Sequence, residues 1–244
     1  MTSDDVARWW GFAPDNSIAT HSDSVSAAIW RFDGSVYDLE GHADENTDVI
    51  SMPIAGHHRH TYLADGRQKW ARTHPPCHMN LVAAGEKPRG IFVSTRPFTY
   101  LHVYVPHAMI DRLAVDNAGV DAPGRIALID PMCSHDPQVE NVCQQIVHEM
   151  SHPDGCTRLV VDCLGQELAV RLLRQHSSIS GSSILASRSG PGYRDWRLRV
   201  RRSIWKRTWV MMSDSEISRR WLGCRRRISA TCSATAPDSR RIAG

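Results

Sequence analysis

Between Ser26 and Ile129 the chain offers only short apolar runs, each closed off within a few residues by glycine, proline or Asp-Gly. The runs are Ala28–Phe32, Ser35–Leu39, Val49–Ile54, Arg59–Leu63, Met79–Ala83, Gly90–Ser94 and Tyr100–Val105, and Gly56, Asp65-Gly66, Pro75-Pro76, Gly85 and Pro97 separate them. Runs this short hide their apolar side chains only by pairing edge to edge. With no intervening helical pattern of about 10–15 residues, they predict an antiparallel barrel or sandwich. Asp33-Gly34 between the first two runs predicts a hairpin turn.

The period then changes. Asp136-Pro137 reads as a helix start with proline at the first helical position. Val139, Val142, Cys143, Ile146, Val147 and Met150 follow at helical spacing. After a turn at His152–Cys156, Leu159, Cys163, Leu164, Leu168, Leu172 and Leu173 form a second stripe ending near His176. Two helices, 136–151 and 158–176, with so short a connection predict an antiparallel hairpin. Residues 177–189 are Ser/Gly-rich and read as a linker.

Charge divides the chain at that linker. The net charge of +3 over 244 residues hides 14 Lys and Arg against 22 Asp and Glu in residues 1–187, and 15 against 4 in residues 188–244. The basic segment has neither strand nor helix periodicity and reads as a disordered tail, not as a nucleic-acid-binding arm. No run of about 18 apolar residues suggests a membrane span. The acidic start, Met-Thr-Ser-Asp-Asp, is unlike a secretory signal, so a cytoplasmic location is expected.

Ala55-Gly-His-His-Arg-His-Thr-Tyr-Leu-Ala-Asp-Gly-Arg67, Pro75-Pro76, Gly85-Glu-Lys-Pro-Arg89 and Leu101-His-Val-Tyr-Val-Pro106, followed by the helical pair, resemble the N-terminal sensor domain of AraC-type transcriptional regulators. The resemblance covers about residues 25–176. It implies an α+β fold, an antiparallel cupin-like β-barrel followed by an antiparallel helical hairpin, with a disordered basic tail. The expected divisions are an N-terminal segment (1–24), an effector-binding barrel (25–130), a dimerisation hairpin (131–176), the linker (177–189) and the tail (190–244). It also implies a small-molecule effector, a homodimer, and DNA as the partner of a C-terminal pair of helix-turn-helix units.

Those units are not found after Ser189 in the frame as written. When each codon is started on the last base of the one before, however, Ser203–Gly244 permits a reading that contains D-I-S-A-L-A-G-M-S-P-A-H-F-S-H-L-F-R-H-S-T-G-L-S-P. This resembles the first helix-turn-helix of the same family. Met211-Met212 fixes an Asp in that reading, and Trp221 followed by a CT-type Leu222 codon gives an Ala. A change of frame between about Ser177 and Ser203 is therefore expected, leaving no intact DNA-binding residues in this chain. It also accounts for the arginines, which a GC-rich alternate frame supplies without any binding surface.

The candidate effector-binding residues are His58, His60, Tyr62, Trp70, Phe92 and Tyr104. All lie on or beside predicted strands, whose inward faces would hold a small apolar or aromatic molecule. The candidate dimerisation residues are Val142, Ile146, Met150, Leu164, Leu168 and Leu172. His58 and His60 would share one strand face, and with His57, His74 and His78 near them they invite a metal reading. A mononuclear site would need a further carboxylate and a later histidine. Asp65 falls in a turn, and His102 is the only later candidate, so neither metal nor cofactor is assigned. Cys77, Cys133, Cys143, Cys156 and Cys163 form no C-x-x-C pair and read as free thiols. With no G-x-S-x-G elbow and no phosphate-cradling loop, no catalytic residue is assigned either. A standalone small-molecule-binding module and a metal-dependent cupin enzyme are the alternatives.

Overall fold

The computed structural model describes residues 1–19, 24–118 and 126–179. The chain divides into units 1–189 and 190–244, and the second lies wholly outside the described residues. So do nearly all of the expected linker and the whole of the expected basic tail.

Among the described residues ten strands form two antiparallel sheets. They are β1 (Asn16–Ala19), β2 (Ser26–Phe32), β3 (Val36–Glu40), β4 (Thr47–Ala55), β5 (His58–Ala64), β6 (Arg67–His74), β7 (His78–Val82), β8 (Pro88–Val93), β9 (Phe98–Pro106) and β10 (Ser134–His135). A six-stranded sheet has the order β1-β2-β9-β4-β7-β10 and a four-stranded sheet the order β3-β8-β5-β6. The expected barrel is thus two separate sheets among the described residues, without hydrogen-bonded closure.

The predicted hairpin at Asp33-Gly34 is also corrected. Gly34 does take a turn conformation, with φ 75°. The strands on either side of it join different sheets, however, β2 pairing with β9 and β3 with β8. A Cβ on Gly34 would sit 2.7 Å from the Arg96 backbone, so the turn is pressed against the chain where it enters β9. It carries the backbone over from one sheet to the other.

Period-two alternation along β2 and β9 builds two cores from the same strands. Ala28, Trp30, Phe32, Phe98, Tyr100 and Tyr104 pack between the sheets with Tyr62, Trp70 and Phe92. Ala27, Ile29, Leu101, Val103 and Val105 point to the opposite face and meet the helices. Those helices are α2 (His107–Ala118), α3 (Pro137–Ser151) and α4 (Thr157–Gln175), the last two starting and stopping within a residue of the expected spans. Asp136 caps α3 by accepting from the Gln138 and Val139 amides. Its other carboxylate oxygen lies 2.8 Å from His176 Nε2, which brings the residue after α4 to the residue before α3.

The apolar stripes of these helices face the sheet of their own chain. Val142, Ile146, Met150, Leu164, Leu168 and Leu172, the side chains expected to meet a second copy, are all buried in this inner core. Their spacing marks an amphipathic helix seated on a sheet. Two further helices went unread. The stripe of Met109, Ile110, Leu113 and Ala114 belongs to α2 and lay inside the segment taken for barrel. The short α1 (Ser3–Trp10) lay in the segment taken as a simple N-terminus. Its capping box, Thr2 with Asp5, is a legible start signal. No helix among the described residues is long and apolar enough to cross a membrane.

One contact fixes how closely α4 approaches. A Cβ on Gly165 would lie 2.0 Å from Val25 Cγ2, so the valine occupies the space a side chain would need. Gly165→Ala gains about 1 kcal/mol of helix propensity but overpacks the core at a cost of about 1–3 kcal/mol. The expected outcome is a lower melting temperature, partly restored by adding Val25→Ala. A double-mutant cycle checks it, and strictly additive effects would show that the contact is not made.

Candidate functional site

The β5–β6 hairpin sets the site. Asp65 and Gly66, with φ 51° and 75°, make the two-residue turn that matches strand twist. The resulting register places His58 opposite His74, while on the other side of β5 His60 lies opposite Phe92 of β8. A bulge at Tyr62/Leu63 adjusts the pairing near the turn. His58, His60 and His74 all point inward and are buried. Tyr100 reaches them from β9 of the facing sheet.

The three imidazoles converge on the Tyr100 hydroxyl. Its oxygen lies 2.6 Å from His58 Nε2, 2.7 Å from His74 Nδ1 and 3.3 Å from His60 Nδ1, and the last two nitrogens are 3.4 Å apart. His74 Nε2 lies 2.9 Å from the His78 carbonyl, which only accepts, so this nitrogen carries the proton. Nδ1 of His74 is then the acceptor, and the phenol donates to it. The phenol oxygen in turn accepts from His58 Nε2–H and His60 Nδ1–H. This leaves lone pairs on His58 Nδ1 and His60 Nε2, and both atoms are buried without a hydrogen-bond partner among the described residues.

Aromatic contacts hold the rings: His58 stacks on Phe98 at 4.5 Å, and His60 stacks on Phe92 at 4.2 Å and meets the edge of Trp70 at 4.7 Å. Desolvation pushes His58 down to about 3 and His74 to about 4, with His60 well below the usual imidazole range. Repulsion among the rings adds to the effect for His58 and His60. All three are neutral at physiological pH.

His60 has a second face. Nearer the mouth of the inter-sheet space a small pocket of about 70 Å3 is walled by His60, Tyr62, Phe92, Asn80 and His102. Val6, Trp9 and Trp10 of α1 roof it. Gly90 lines it too, and a Cβ there would lie 2.6 Å from the Phe92 ring and 3.1 Å from His60 Nε2. Only glycine lets those rings lie flat on β8. Asn80 Oδ1 and His102 Nδ1 are buried without partners among the described residues, while His102 Nε2 lies 3.1 Å from Ser51 Oγ.

Of the candidate effector residues, His60, Tyr62 and Phe92 line the pocket. His58 belongs to the histidine cluster behind it, and Trp70 and Tyr104 are core side chains that do not reach it. Ser51, Asn80 and the α1 tryptophans went unread. Ser51 and Asn80 sit on strands buried on both faces, where a polar residue among apolar neighbours is the available signal. Asp65 stays in its turn, and His102 is held by Ser51, so neither joins the three histidines.

No family profile and no curated protein matches the chain. Solved structures that share features with it include a Bacillus subtilis oxalate decarboxylase mutant (17% identity, 35% of this chain and 22% of that one, TM-score 0.29). Others are a cupin 2 conserved barrel domain protein from Salinispora arenicola (14%, 41% and 81%, TM-score 0.30) and a Klebsiella pneumoniae protein with a double-stranded β-helix domain (12%, 43% and 88%, TM-score 0.32). The neighbours are cupin or double-stranded β-helix proteins, and the chain spans about a fifth of the oxalate decarboxylase. At these scores no activity is carried across, and the site is read from its own residues.

Burial of the neutral imidazoles makes stability depend on pH. In the unfolded chain a histidine titrates near 6.5, whereas folded His58 and His74 stay neutral to about 3 and about 4. As the pH falls below about 6.5 the unfolded state takes up protons first, so folding weakens progressively down to the folded values. Each such imidazole removes about 2 kcal/mol between pH 7 and 5. Melting temperature is expected to be level above pH 7 and to drop steeply towards pH 5. An unchanged melting temperature over that interval would mean that the rings are not buried neutral.

Proposed function

We propose that residues 1–176 are the effector-sensing portion of an AraC-type transcriptional regulator, whose own sequence-specific DNA binding is defective in this chain. The observation that supports sensing is the inter-sheet pocket with its unpaired acceptors. Among the described residues Asn80 Oδ1 and His60 Nε2 are each left without a donor, at a cost of about 1–3 kcal/mol apiece. A ligand that supplies donors recovers that cost. Among the described residues no Asp, Glu, Lys or Arg side chain lines the pocket, and the ammonium of Met1, which does line it, is already paired with Asp44. An ionic ligand would therefore be desolvated without a free counter-charge. The ligand class is accordingly a small, uncharged, flat molecule with N–H or O–H donors, in a pocket lined by Phe92 and Trp10 among others.

In this reading effector capture draws on the α1 roof and the central sheet, and through that sheet on α3 and α4. A second copy pairs through the outward faces of those helices, their inward stripes being already used. The ancestral DNA reader lies in the alternate frame after the linker. The chain could still pair with an intact relative.

Two experiments test this. A panel of uncharged aromatic amides, phenols and amines is screened by thermal shift. At least one should raise the melting temperature in a concentration-dependent way, with about tenfold weaker binding to Asn80→Ala. A panel without effect, or binding indifferent to Asn80→Ala and Phe92→Ala alike, would remove the pocket from the reading. The coding DNA is then sequenced. Codons that give the D-I-S-A-L-A-G-M-S-P peptide in the neighbouring frame are expected, and the restored chain should retard DNA in a gel where the present chain gives no sequence-specific retention. Codons incompatible with that peptide would end the regulator assignment while leaving the pocket intact.

A further inference from the structure

The Tyr100-centred cluster is more than a way of burying three histidines. One ring nitrogen from each of His58, His60 and His74 lies within 4.8 Å of the others, on adjacent strands of one sheet, and the Tyr100 phenol oxygen contacts His58 Nε2, His60 Nδ1 and His74 Nδ1. The His60–His74 separation of 3.4 Å is the edge of a tetrahedron about an ion with metal–nitrogen bonds of about 2.0–2.1 Å. His74 gives its far N–H to the His78 carbonyl, as metal-bound imidazoles do, so its inward nitrogen is already the unprotonated one. Phe92, Phe98 and Trp70 fix the other two rings. Neutral imidazoles are the form that ligates, and nitrogen donors with one oxygen suit zinc and its first-row neighbours.

We propose that His58, His60 and His74, with the Tyr100 oxygen as fourth donor, bind one divalent ion of the zinc type, and that the ion reverses the hydrogen-bonding sense of the nitrogen His60 shows to the pocket.

The proton balance is explicit. Without metal, the inward nitrogens of His58 and His60 each carry a proton and the phenol carries one. On binding, the imidazole protons move to His58 Nδ1 and His60 Nε2, and the phenol proton leaves to solvent, one per ion. His60 Nε2 thereby changes from acceptor to donor. Its effect on effector choice rests on the pocket reading above, whereas the binding of the ion does not.

The test uses the full chain, stripped with chelator and titrated with Co2+ and with Zn2+. One equivalent of Co2+ should bind with the intense visible absorption of four-coordinate cobalt, and Zn2+ should displace it. His58→Ala and His74→Ala should each weaken binding about 100-fold or more, whereas the exposed pair His148→Ala/His152→Ala should leave it unchanged. Tyr100→Phe should bind without releasing the proton that the buffer dependence of the binding heat reports. Long-range 1H–15N spectra of 15N-histidine protein should show the His60 proton moving from Nδ1 to Nε2 when zinc is added. A folded chain, checked by circular dichroism, that gives no cobalt absorption overturns the proposal. So does binding that survives in the His58 and His74 variants but is lost with His148 and His152. Metal binding without the His60 proton shift overturns its second half alone.

Discussion

Strand β9 supplies side chains to two different interiors, and the rest of the molecule is arranged around that fact. Leu101, Val103 and Val105 complete the core beneath the helices, while Phe98, Tyr100, His102 and Tyr104 stand between the sheets. A strand wetted on either face could not do this, because one set would be exposed. Covering both faces requires α2, α3 and α4 on one side and the four-stranded sheet on the other. The apolar stripe of the helices is therefore matched to a sheet before any second chain is considered.

The same double coverage creates the chemistry. An imidazole or phenol between two sheets loses water on all sides, and the loss is tolerable only where neutral groups share protons. Tyr100 does this for three histidines at once. The sharing is incomplete, and it ends on lone pairs at His58 Nδ1 and His60 Nε2, the second of them at the pocket. Pocket and cluster are thus two sides of one residue.

How much of this could be read beforehand follows from the range of the interactions. The strands of residues 26–106 other than β6, and the helices after Asp136, were legible, since they depend on alternation, proline and caps within a few residues; β6 buries only Trp70 and His74 and carries no apolar run to mark it. The common face of His58 and His60 was legible for the same reason. Their meeting with His74 required the register set by Asp65-Gly66, and the meeting with Tyr100 required the packing of two sheets. Neither is local. The Asp33-Gly34 turn was found, yet its strands parted, because the sheet each one joins is chosen by residues far along the chain. The stripes of α3 and α4 gave their helices correctly but were assigned to another copy, since periodicity reveals a buried face without naming what buries it.

The pairing of β9 has one more effect, on the order in which the molecule can be assembled. Its neighbours are β2 and β4, joined through contacts such as Ser26 with Tyr104 and Ser51 with His102, so it arrives late in the chain and is inserted between strands made much earlier. A shift of one residue during that insertion would send Tyr100, His102 and Tyr104 under the helices and set leucine and valine against the histidines. A shift of two would restore the faces but carry the phenol away from the imidazoles. The histidine cluster therefore acts as a proofreading mark for the central strand, satisfied in one alignment alone, and a nascent chain that stops short of Tyr100 has no way to close either interior.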